Sequence, residues 1–122
     1  MSCLFNSLSY FFQEDSNTIR QLICNYLEKN GKIIEGLDTE IILSLDNSKS
    51  EYITQMRHQT TWGGAIEIQA ACNLWNVRIL VHNIKYSHNI NIIEFLPINN
   101  TNYKGTINIT WNGTHYEKKD NF

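Results

Sequence analysis

Apolar residues recur along the chain at two periods, and the period changes once. In the first part the spacing is helical. Leu4, Phe5, Leu8, Phe11 and Phe12 share one side of a predicted helix that opens at Cys3 and ends at Phe12. Glu14-Asp15-Ser16-Asn17 interrupts it with residues suited to cap the next helix. Ile19, Leu22, Ile23, Tyr26 and Leu27 then stand at i, i+3, i+4, i+7 and i+8 and predict a second helix with one apolar stripe. Asn30-Gly31 is its expected stop. Leu37 to Leu45 reads as a further short helix, and Ser48 to Met56 as another with Ser48 or Ser50 as its cap. Gly64 to Leu74 has almost no polar face, which predicts a helix buried on most sides. Glu67 is the exception there, and a carboxylate in such surroundings must find a partner or a wet edge.

Beyond that helix the pattern turns to strands. Val77 to Val81 is a β-type run, and Ile90 to Phe95 a second. Ile107, Ile109 and Trp111 alternate with Asn108 and Thr110, as in a half-buried strand. Asn112-Gly113 is a turn signal that leaves His115 just past a strand end. Helices first and strands last predict α+β layering, with helices around a short, mostly antiparallel sheet.

A chain of 122 residues is expected to be one domain. It can bury roughly two thirds of its unfolded surface. A net charge of −2 gives no field for nucleic acid or a membrane surface. No apolar run approaches the ~20 residues of a membrane span. The first residues lack the basic region of a signal peptide. Cys3, Cys24 and Cys72 have neither disulfide nor metal-ligand spacing, so reduced thiols in the cytoplasm are expected. His58, His82 and His88 are expected at the surface or in loops, with no metal and no cofactor. A monomer is expected. The Asn- and Ile-rich composition suggests an AT-rich coding genome and a viral or parasite source.

The candidate chemistry is thiol chemistry. It needs a thiolate, and a free Cys is mostly protonated at neutral pH. A helix N-terminus and an adjacent imidazole both favour the ionised form. Cys3 lies at a predicted helix start, and His115 is a candidate base. On the residues alone a second reading stands beside this one. A Cys near the start of a chain is commonly a small apolar residue, and a His in a turn commonly faces solvent.

Three stretches taken together resemble one family. They are Cys3-Leu4-Phe5, the segment Thr60-Thr61-Trp62-Gly63-Gly64-Ala65-Ile66-Glu67-Ile68-Gln69-Ala70, and Trp111-Asn112-Gly113-Thr114-His115-Tyr116-Glu117. The order and spacing are similar to those of the OTU (ovarian tumour) cysteine deubiquitinases, and Tyr52-Ile53 and Met56 fit the same pattern. The resemblance implies a small papain-like α+β domain over 1–122. It also implies a thiol isopeptidase acting on ubiquitin or ubiquitin-like conjugates. Cys3 would be the nucleophile, His115 the base and Glu117 the group that orients it. Ser2, Trp62, Gly63 and Asn112 would serve substrate binding, with Trp62 also expected to cap the core and Gly63-Gly64 to allow a tight entry into the helix. The family usually carries Asp-Gly-Asn before its Cys, where this sequence has Met1 and Ser2. The amides of Ser2 and Cys3 are then the implied oxyanion donors. Two alternatives follow: a ubiquitin-binding module of the same fold without turnover, and a papain-like peptidase on ordinary peptides.

Overall fold

The computed structural model describes residues 3–29, 32–34, 37–38, 49–85, 91–98 and 102–119. Helix α1 (Cys3–Phe12) buries Leu4, Phe5, Ser7 and Leu8. Asp15 caps the next helix, α2 (Ser16–Glu28), where one carboxylate oxygen accepts from the Thr18 amide at 2.8 Å and the other from the Thr18 hydroxyl at 2.9 Å. The buried face of α2 is Ile19, Arg20, Ile23, Cys24 and Leu27. Leu22, expected on the stripe, is exposed instead, and Arg20 is buried in its place. The helix is rotated from the apolar stripe because Arg20 reaches the end of a neighbouring helix, where its guanidinium donates to the Met56 carbonyl at 2.6 Å. Lys29 ends α2, and Asn30 and Gly31 lie outside the described residues.

Two short antiparallel strands follow, β1 (Lys32–Ile34) and β2 (Leu37–Asp38). The helix expected from Leu37 to Leu45 is therefore corrected at its first two residues. Leu37 pairs with Ile34, and ladder pairing to a β-branched neighbour replaces helical bonding there. The remainder, 39–45, is outside the described residues.

Helix α3 (Lys49–Met56) packs on α2. Ser50 is inside its first turn, so it is not the expected cap, and Ser48 is not among the described residues. Arg57 fastens the pair by donating to Gln21 at 2.7 Å and to Asn25 and Glu28 at 3.0 Å each. Helix α4 (Ala65–Trp75) buries Glu67, Ile68, Ala70, Ala71 and Cys72, while Leu74 is exposed. It ends at Asn76, whose left-handed backbone (φ 54°) closes the last turn.

The main sheet comprises β3 (Arg78–Asn83), β4 (Asn91–Phe95), β5 (Thr106–Trp111) and β6 (Tyr116–Lys118), in the order β4-β3-β5-β6. β3 runs parallel to β5, and the other two pairings are antiparallel. Ile90 is not among the described residues. Ile79 opposes Ile107 and Val81 opposes Ile109, and all four join the core beneath the helices. His82 is a further correction. It is buried rather than at the surface, because its ring bonds Asn108 of β5 at 3.1 Å across the parallel pair. His58 is exposed in a turn as expected, and His88 is outside the described residues. The last strand, β6, packs against α1. This contact brings the start of the chain to its far end.

Candidate active site

Cys3 is the first residue of α1, so its side chain stands where helix amides have no helical partner. Its sulfur accepts the backbone N–H of Tyr116 at 3.5 Å, a contact spanning 113 positions of sequence. Tyr116 directly follows His115. The seam between α1 and β6 is closed further along by the Lys118 ammonium, 3.8 Å from the Tyr10 ring centre. Between these points lies an open groove of about 380 Å³, lined by Cys3, Asn6, Ser7, Tyr116, Glu117 and Lys118.

His115 is held from behind by an Asn-built turn. The Asn112 side-chain oxygen accepts the His115 amide at 2.8 Å, and the Thr114 amide and hydroxyl at 3.0 Å each. Gly113 takes the left-handed backbone (φ 105°) that this turn requires. The turn therefore fixes the backbone of His115 and leaves its ring exposed. Glu117 lies opposite Thr110 on β6, and its carboxylate forms no hydrogen bond or ion pair among the described residues.

Trp62 does not cap the core. It is 51% exposed, and its ring centre lies 6.1 Å from that of His115. The expected core role goes elsewhere because Gly63, the next residue, is the one pressed onto α1. A Cβ there would meet Leu4 Cδ2 at 2.8 Å and Phe5 Cζ at 3.0 Å. Gly63 thus permits close approach to the helix carrying Cys3.

The other two thiols differ from Cys3. Cys24 and Cys72 are fully buried, and burial pushes them up to about 11 and about 12 respectively. Cys3 alone of the three is partly accessible. Among the described residues no group of three His, Cys, Asp or Glu could hold a metal ion. No described helix is long and apolar enough to cross a membrane. Ser2 lies outside the described residues.

The buried carboxylate of Glu67 has found its partners. It accepts the Tyr52 hydroxyl at 2.6 Å and the Gly64 amide at 2.7 Å, the latter bond closing the N-terminus of α4. Burial raises its pKa above the usual 4.5. Arg20, close enough to act on it electrostatically, stacks over Phe5 with its guanidinium carbon 4.1 Å from the ring centre. Apolar periodicity gives no sign of Arg20, because its place depends on three separate elements.

A thiol at a helix start, beside a strand led by a His-bearing turn, is the layout of a cysteine protease. The chain belongs to the OTU-like cysteine proteases, whose family model matches residues 2–120. Over 99 residues it is 31% identical to ovarian tumor domain-containing deubiquitinating enzyme 9 of Arabidopsis thaliana, a match covering 79% of this chain and 26% of that protein. The chain thus spans about a quarter of the length of that relative. Its fold is similar to that of an ovarian tumour (OTU) domain solved in complex with ubiquitin, with a TM-score of 0.74 and 27% identity over 96% of this chain and 62% of that one. The viral OTU domain protease of Dera Ghazi Khan virus shares the fold at a TM-score of 0.73 and 20% identity, over 96% of this chain and 72% of that one.

Proposed function

We propose that this chain hydrolyses the isopeptide bond between ubiquitin, or a ubiquitin-like modifier, and a target protein. The observation that carries the reading is the seam where Cys3, at a helix start, meets the residue after His115, 113 positions away. Membership of the OTU-like cysteine proteases and the likeness to an OTU domain solved with ubiquitin support the substrate class.

The chemistry follows from the groups present. The Cys3 sulfur attacks the carbonyl carbon of the modifier's last residue, and His115 takes up the thiol proton. The C–N bond then breaks, and His115 returns that proton to the leaving amine. A thioester joins the modifier to Cys3. Water attacks it with His115 as base, which frees the modifier's carboxylate and restores the thiol. Unpaired amides at the start of α1 face the developing oxyanion. Glu117 orients the His115 ring when substrate closes the site, where apo hydrogen bonds commonly tighten. Trp62 and Gly63 form one wall for the modifier's tail, and Asn112 holds the turn.

The test is ubiquitin carrying a C-terminal thiol-reactive group, read as a mass shift on the intact chain. One adduct is expected on the native chain and none on Cys3→Ala. An unlabelled native chain, or a labelled Cys3→Ala variant, would sink the reading.

A further inference from the structure

We propose that the Trp62-Gly63-Gly64 corner is a positioning element that sets Cys3 against His115, and that buried Glu67, bonded to half-buried Tyr52, holds this corner in place. The inference rests on the Cys3–His115 reading above.

The corner touches both halves of the pair. Trp62 stands beside the His115 ring, with the centres 6.1 Å apart and the planes tilted by 41°. Gly63 is seated on Leu4 and Phe5, the two residues after Cys3, with no room even for a methyl group. Phe5 cannot yield freely, because Arg20 covers its face and is itself bonded to the Met56 and Gln59 carbonyls at 2.6 and 3.4 Å. A small movement of the corner therefore shifts the start of α1 and the wall beside His115 together.

The corner is fastened at both ends. Upstream, the Thr61 amide donates to the His58 carbonyl at 3.1 Å, and its hydroxyl to the Gln55 carbonyl at 2.5 Å. Downstream, the Gly64 amide is held by Glu67, and Glu67 by the Tyr52 hydroxyl of α3. Tyr52 and Glu67 have no place in the chemical steps. Yet a carboxylate this deeply buried costs stability unless it is fully bonded. A fully bonded polar pair built on a buried carboxylate specifies one arrangement of its neighbours more narrowly than apolar packing would. Here the arrangement it specifies is that of the corner.

The experiment measures how fast iodoacetamide alkylates Cys3 in the full chain at neutral pH. Four proteins are compared: native, His115→Ala, Tyr52→Phe and the double variant. A free thiol is only a few per cent ionised there, so a well-placed imidazole can speed alkylation by about tenfold or more. His115→Ala is expected to remove that factor in the native background. In the Tyr52→Phe background the same change should slow alkylation by about twofold or less, because the pair is already misaligned. Gly63→Ala serves as a second background should Tyr52→Phe fail to fold. Ile107→Val, a core trim in the sheet away from the corner, should leave the His115 factor whole. Folded Tyr52→Phe and Gly63→Ala proteins that keep the full factor would overturn the proposal, as would its equal loss in Ile107→Val. If His115→Ala has no effect in the native background, the Cys3–His115 reading itself fails, and this inference with it.

Discussion

Glu117 and His115 stand two positions apart at the head of β6 without a hydrogen bond between their side chains. A group that only steers a ring contributes less than the ring itself. Glu117→Gln is therefore expected to slow ubiquitin-probe labelling clearly less than His115→Ala, whose loss is about 10² or more. Equal losses would give Glu117 a larger part, and no loss would remove it from the site. Glu67 carries a second prediction at this scale. Burial raises its pKa, so the folded chain holds that proton more tightly than the unfolded one. Stability then falls as pH climbs above the ordinary carboxylate value of 4.5. Glu67→Gln removes the titration; its amide oxygen can still accept the Gly64 N–H, and its NH2 can donate to the Tyr52 oxygen once that hydroxyl turns away. Its thermal midpoint relative to native should improve from about pH 5 to about pH 8. The opposite slope would mean that the nearby Arg20 charge outweighs desolvation. Single residues are also where sequence patterning fails. Trp62 looks like core by type and Arg20 like surface, yet the structure reverses both, since each answers to neighbours distant in sequence.

At the scale of elements, local signals are readable and long-range ones are not. The helices from Cys3 and from Ser16, and the alternation of Ile107, Ile109 and Trp111, follow from period alone. Nothing local places β5 beside β3 in parallel while β4 takes the other side. Nor does any local signal reveal that Leu37 joins a ladder with Ile34. The meeting of α1 with β6 belongs with these. Resemblance to a family proposed that Cys3 and His115 act together, and only the packing shows the seam. The turn from Asn112 to His115 is a local device with a distant effect. Its side-chain oxygen organises Thr114 and His115 together. Asn112→Ala should slow probe labelling by about tenfold, since small misplacements of a reacting group are costly. The thermal midpoint should move by only about 3 °C or less, as for most exposed sites. A large fall in midpoint with unchanged labelling would make the turn a matter of stability alone.

The whole molecule sorts its three thiols by burial. Cys24 is inside the packing of α2, and Cys72 is in α4, where its thiol lies 3.5 Å from the Phe95 carbonyl of β4. Burial pushes these two up to about 11 and about 12, so neither presents an appreciable thiolate at neutral pH, and neither can be reached without opening the core. Cys3 stands at the edge of the groove instead. Brief exposure of the folded chain to iodoacetamide near neutral pH should therefore add one group, at Cys3. The same treatment in denaturant should add three, one for each Cys. Two or three adducts under native conditions would show that α2 or α4 opens on the timescale of labelling, which the continuous core joining these helices to β3 and β5 argues against. A single native adduct would also make labelling of the intact chain a direct reading of Cys3, with the two core thiols silent until the fold is lost.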